Sequence, residues 1–218
     1  MKKIRYSEIT PEKVYLNRRS FIKSIGLSAG SAALTSIPFI NHARSNEENK
    51  VTSYKDITTY NNYYEFGTSK SDPYINSQQF KTTPWTISIE GEVEKSIKLS
   101  MDEITETFIS EERIYRLRCV EGWSMVIPWM GFSLSELLSK VNLTSKAKFV
   151  EFESVYDPDQ MRGQRYPVLN WPYKEGLRID EAMHPLTTVV TGLYGKKLPN
   201  QNGAPFRIFT PWKYCFKS

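Results

Sequence analysis

Two cysteines and two histidines are all that 218 residues offer a soft metal ion. Structural zinc usually takes four Cys or His ligands, so a zinc core is not expected, and one thiolate is the most this chain naturally brings to a metal. Cys119 and Cys215 allow at most one disulfide, which rules out a disulfide scaffold and leaves the fold to rest on its hydrophobic core. No apolar run reaches the length of about 20 residues that a membrane-spanning helix needs. Internal repeats, a Gly-rich phosphate loop, a paired-carboxylate signature, a haem-binding motif and a flavin fingerprint are also missing. With 39% hydrophobic and 24% charged residues, what is left is an ordinary globular chain able to bury one good core.

The formal net charge of +5 suggests an anionic partner such as nucleic acid, but the charge is unevenly placed. Residues 1–45 hold eight basic and two acidic side chains, so residues 46–218 are left close to neutral at −1. Inside that first segment, residues 17–23 (NRRSFIK) set Arg18 and Arg19 before a weakly hydrophobic stretch rich in Gly, Ser and Ala. This resembles a twin-arginine export signal, and Ala43 and Ser45 supply the small residues of a cleavage site. The expectation is a signal peptide over 1–45, passage through the twin-arginine translocase, a periplasmic location and no nucleic-acid partner.

Residues 46–83 are polar, with little apolar periodicity, and read as an extended lead-in before the core begins. Alternation predicts strands over 85–93, 113–120 and 148–155. Ser100 with Glu103, and Ser133 with Glu136, have the spacing of capping boxes and predict two short helices. Gly122, Pro128 and Gly131 predict a loop between residues 122 and 131. Residues 156–176 form an aromatic, proline-bearing connection too long for a simple turn, hence a candidate site wall. Apolar segments at 185–194 and 206–210 follow. Strands and short helices without regular βαβ alternation predict an α+β domain.

Cys119 ends the strand over 113–120 on the face shared with Tyr115 and Leu117. Taken by itself it is either a small buried hydrophobe or a reactive thiol, since Arg116 and Arg118 project to the opposite face and leave the electrostatic case open. His184 precedes Pro185 at a helix end, where a structural role and a general base are both open. Asn202-Gly203 reads as a turn and Arg207 as a solvated charge.

Four blocks in series change this reading: residues 60–67 (YNNYYEFG), 112–121 (ERIYRLRCVE), 180–186 (DEAMHPL), and 201–205 with 211–214 (QNGAP and PWKY). Together they resemble the catalytic subunits of periplasmic protein-methionine-sulfoxide reductases, within the sulfite-oxidase class of molybdenum proteins. The likeness runs in the family's order from about Asn61 to Ser218. It implies a sulfite-oxidase-type molybdopterin-binding domain over 84–218, with mixed sheets and short helices. It implies molybdenum-molybdopterin as cofactor, with Cys119 as the one protein ligand of the metal and the catalytic residue. Cofactor contacts are implied at Asn61, Tyr64, Glu65, Ser154, Asn202, Arg207 and Ser218. Ser154 keeps a hydroxyl where the family usually has Thr, and Ser218 and Cys215 stand where the family has Gly.

The activity implied is reduction of methionine sulfoxide in oxidised periplasmic proteins by oxygen-atom transfer to reduced molybdenum. Electrons would come from a haem-containing membrane subunit. Trp123, Trp129, Tyr156 and Trp171 are candidates for an apolar cleft around a methionine side chain, or else for core packing and loop anchoring. The family's sequence continues beyond the block at Ser218, so the expectation is a C-terminally truncated domain. Two other readings stand beside this one: a truncated, non-catalytic fragment with impaired cofactor binding, and a metal-free thiol enzyme pairing Cys119 with His184.

Overall fold

The structure is a computed structural model that describes residues 50–213. The predicted sites at Ser218 and Cys215, and the whole of the expected signal peptide, lie outside the described residues.

The chain begins with two short helices, α1 (Tyr54–Thr59) and α2 (Asp72–Asn76). A small antiparallel pair follows, β1 (Thr86–Ile89) with β2 (Ile97–Ser100), leading into helix α3 (Met101–Thr107). Next come the long strands β3 (Glu111–Arg118) and β4 (Ser124–Ser133) and helix α4 (Leu134–Ser139). A second small pair joins β5 (Phe149–Glu153) to β6 (Lys174–Arg178), with α5 (Ile179–Ala182) after it. The chain then adds β7 (Thr188–Leu193), β8 (Lys196–Lys197) and β9 (Arg207–Phe209).

The central sheet has five antiparallel strands: β3 pairs β4, β4 pairs β7, and β8 and β9 share the far edge of β7. Three separate sheets and short helices make this the α+β architecture the sequence predicts. Among the described residues no helix is long and apolar enough to cross a membrane.

Both faces of the central sheet are covered. On one, Phe132 of β4 and Val189 of β7 pack with Ile104 of α3, with Phe108 just after it, and with Leu134, Leu137 and Leu138 from α4. On the other, Ile127 and Trp129 of β4 pack with Val190, Leu193, Phe209 and Ile57 of α1. Each such side chain taken fully out of water contributes about 1.5–3 kcal/mol, so the two clusters are the principal source of stability. The Ser100 capping box forms in full, Ser100 accepting from the Glu103 N–H at 3.2 Å while Glu103 accepts from the Ser100 N–H at 2.7 Å; at the second helix the Ser133 N–H donates to Glu136 Oε1 at 3.3 Å and the Ser133 hydroxyl pairs with Ser135.

Two expectations are corrected. The lead-in over 46–83 is no extended arm: Ser53 caps α1, Ile57 belongs to the second cluster, and Phe66 and Phe80 form a third with Met161. Its apolar residues are too widely spaced to show a period, because α1 and α2 are each under two turns long. Nor is most of 122–131 a loop, since β4 covers Ser124–Ser133 and runs through Pro128. Carbonyl and N–H of a strand residue point to the same side, and the Pro128 carbonyl accepts the Tyr194 N–H just past the end of β7. The missing proline N–H therefore faces a place where no ladder partner is lost. Gly131 sits at a register shift between β4 and β7, where an added Cβ would come within 2.1 Å of the Val189 carbonyl oxygen.

Candidate active site

The β3–β4 hairpin ends in a three-residue loop. The Cys119 N–H donates to the Trp123 carbonyl at 2.9 Å, and the Cys119 carbonyl accepts the Gly122 N–H at 2.9 Å. Gly122, at φ +88°, supplies the left-handed residue that closes such a loop. Cys119 is free and 4% exposed, so the turn presents the thiol inward, and the Glu121 N–H lies 3.5 Å from its Sγ.

The thiol lines a narrow cleft of about 40 Å³, partly open to solvent. Its walls come from distant parts of the chain. The segment after α1 supplies Asn61, the 3₁₀ turn Asn200–Asn202 supplies Asn202, and β9 supplies Arg207, with Trp129 of β4 beneath them.

The polar groups here are unevenly satisfied. Nδ2 of Asn61 and of Asn202 both donate to the Ile57 carbonyl, at 2.9 and 3.0 Å. That shared acceptor at the C-terminal end of α1 fixes both amides, yet each Oδ1 is buried without a hydrogen-bond partner among the described residues. The indole Nε1 of Trp129 is in the same condition. Leaving a buried donor or acceptor unmatched costs about 1–3 kcal/mol, so two acceptors and one donor gathered around one cleft mark a place prepared for a polar ligand. Arg207 adds positive charge: its guanidinium lies 5.3 Å from the Trp129 ring and 5.6 Å from the Tyr63 ring, and Nη1 donates to the Asn202 carbonyl at 3.2 Å. The reading of Arg207 as a solvated charge is corrected, because β9 turns it inward over two aromatic faces.

Of the expected site residues, the fold brings Asn61, Cys119, Asn202 and Arg207 to one cleft. Tyr64 stands at its edge, its hydroxyl 3.3 Å from Glu121 Oε1. Glu65 is 3% exposed and lies behind the cleft rather than lining it. Ser154, just past β5, is not part of the cleft; its N–H donates to the Tyr173 carbonyl.

The connection over 156–176 lines none of the cleft either, and its last residues belong to β6. It supports the site from behind: the Gly163 N–H donates to the Glu65 carbonyl at 2.7 Å, and a Cβ on Gly163 would fall 1.9 Å from the Tyr64 carbonyl oxygen. Trp171 anchors this connection through Nε1 to the Tyr166 carbonyl. His184 packs on Trp212, and its Nδ1 accepts the Leu186 N–H. It does not line the cleft, which removes the general base that a metal-free thiol enzyme would require.

Lys70 is the feature that spacing does not reveal. Its Nζ is 2.8 Å from each Glu121 oxygen and 2.7 Å from Asn62 Oδ1, and sits over the rings of Tyr64 and Trp123 at 5.0 and 5.3 Å. Partial burial works against the ammonium, but hydrogen bonds to Glu121 and Tyr64 outweigh it and hold its pKa above lysine's ordinary value. Among the described residues no group of three or more His, Cys, Asp or Glu gathers as a metal cluster.

This mixed α+β fold with a buried thiol facing a polar cradle falls within residues 74–218 for the most part, and a family model described as an oxidoreductase molybdopterin-binding domain matches those residues. The chain is 52% identical over 227 residues to the protein-methionine-sulfoxide reductase catalytic subunit of Xanthomonas axonopodis pv. citri (strain 306), with 97% of this chain and 70% of the relative covered. It is 49% identical over 229 residues to the corresponding subunit of Burkholderia mallei (strain ATCC 23344), covering 97% and 69%. The sulfane dehydrogenase SoxCD from Paracoccus pantotrophus shares the fold, with a TM-score of 0.50 at 11% identity over 93% of this chain and 55% of that one. The chain belongs to the family of protein-methionine-sulfoxide reductase catalytic subunits.

Proposed function

We propose that this chain is a molybdenum-dependent reductase that converts methionine sulfoxide to methionine. One observation carries the proposal: the unmatched Oδ1 atoms of Asn61 and Asn202 and the unmatched Nε1 of Trp129, buried around the Cys119 thiol. Pterin edges present donors and acceptors in a plane, which suits amide oxygens and an indole N–H. Arg207 suits the cofactor's phosphate, as a fork of donors backed by two rings. Tyr64 and Glu65 steady the segment that holds Asn61. Cys119 would hold the metal, and molybdenum held there would supply two-electron oxygen-atom-transfer chemistry.

The protein's own part is to hold and orient. Cys119 gives a thiolate from a turn with two backbone hydrogen bonds, so the sulfur does not have to be ordered when the metal arrives. Trp123 and Met125 offer an apolar approach to the thiol, matched to a thioether product.

The finer reading is repair of oxidised proteins in the periplasm after export by the twin-arginine translocase, with electrons from a haem-bearing membrane subunit. It is supported by the paired Arg18 and Arg19 and by the lack of any haem motif in the sequence. Protein purified from a molybdopterin-competent host should contain about one molybdenum per chain and reduce a methionine-sulfoxide peptide with an artificial reductant. Cys119→Ser should lose both. Wild-type protein without molybdenum would overturn the proposal.

A further inference from the structure

We infer that Lys70 is a positioning residue for the Cys119 sulfur, setting the electron-donating strength of that sulfur toward the metal. The inference rests on the reading of Cys119 as a molybdenum ligand.

Lys70 does not itself line the cleft, but it joins the two pieces of chain that meet there. Through its side chain it holds both carboxylate oxygens of Glu121 at 2.8 Å, inside the hairpin loop. Through Asn62 Oδ1 at 2.7 Å, and through its own carbonyl, which accepts the Asn61 N–H at 2.9 Å, it holds the cofactor-facing segment. The rings of Tyr64 and Trp123 enclose the ammonium.

Glu121 is the residue whose backbone N–H points at Cys119 Sγ, at 3.5 Å. A three-residue loop with its carboxylate tied down cannot swing that N–H away, whereas one with a free carboxylate can. Hydrogen bonds to a ligating sulfur withdraw electron density and raise the reduction potential of the metal it binds. Lys70 therefore acts at a distance from the metal, by keeping one N–H on one sulfur.

The test is a redox titration of the loaded protein, followed by the molybdenum EPR signal. Lys70→Met should keep its molybdenum and shift the reduction equilibrium about tenfold toward the oxidised form, about 59 mV more negative for one electron. Lys70→Arg, which can still hold Glu121, should restore most of the wild-type potential. An unchanged potential in Lys70→Met would overturn the inference. If that variant does not fold, Glu121→Gln breaks the same ion pair from the other side; a smaller negative shift is expected and no shift overturns the inference. Should the wild type contain no molybdenum, the proposed function fails on its own. The inference is then read from alkylation of Cys119 by iodoacetamide in a Cys215→Ser background. At a pH high enough that the thiol is fully ionised, so that only thiolate nucleophilicity counts, Lys70→Met should speed alkylation several-fold, and an unchanged rate overturns it.

Discussion

Strand β4 sends Phe132 to one side of the central sheet and Trp129 to the other, and the two rings live under different rules. Phe132 is stacked on Phe108 with centroids 4.4 Å apart and planes 4° from parallel, in a cluster of purely apolar side chains. Trp129 is as deeply buried, but its indole N–H has no hydrogen-bond partner among the described residues, and it shares its neighbourhood with Asn61, Asn202 and Arg207. Of the two faces, the one around Trp129 carries the unmatched buried polar atoms. The stability to hold unmatched polar groups at the cleft comes from the face that contains none.

That contrast can be broken most severely from the apolar side. Phe132→Ala should destabilise the protein by about 3–5 kcal/mol, measured by denaturant unfolding, since it removes a ring and leaves a cavity in a packed cluster. Molybdenum per folded chain should stay the same, because no cleft residue has changed. Asn202→Ala should do the reverse. It removes an unmatched oxygen together with one of the two bonds to the Ile57 carbonyl, so stability should change by less than about 1 kcal/mol. Cofactor retention should fall about tenfold in dilution and gel-filtration experiments.

The smallest effect belongs to the cap of α3. Hydrogen bonds from the Ser100 backbone and hydroxyl hold the Glu103 carboxyl below the ordinary value of 4.5. A depressed native pKa gives stability that is fully present above that ordinary value and is lost as pH falls through the native one. The stability gap between wild type and Glu103→Gln should thus be constant near neutral pH and close in acid, with no effect on metal content.

Local signals in the sequence were read well where chemistry is local. Ser100 with Glu103, Ser133 with Glu136, and the alternation that puts Tyr115, Leu117 and Cys119 on one face all depend on residues a few positions apart. Pro128 misled because its tolerance depends on where β7 ends, which is a property of the partner strand. The helices around Ile57 and Pro73 were missed because each is too short to show a period. At the site, resemblance named Asn61, Asn202 and Arg207, whereas residue chemistry taken by itself gave a turn and a solvated charge. Lys70 was invisible to both, since its meaning lies in Glu121 and Asn62 being brought to it by the fold. Ser154 is the converse case, a position named by likeness that does not line the cleft beside Cys119.

The three-residue loop beneath Cys119 also bears on the order in which the site is made. Its two hydrogen bonds join residues three and four positions apart, so the metal-binding turn can close on the microsecond scale of hairpins, about 1–10 μs. The cradle cannot, because Asn61 comes from the first part of the described chain and Asn202 and Arg207 from the last, and contacts so distant in sequence form late. Pulse-labelled hydrogen exchange should protect the Cys119 amide before that of Asn202. A cofactor arriving during folding would thus find its sulfur waiting and its enclosure unbuilt, until the shared Ile57 carbonyl ties Asn61 to Asn202.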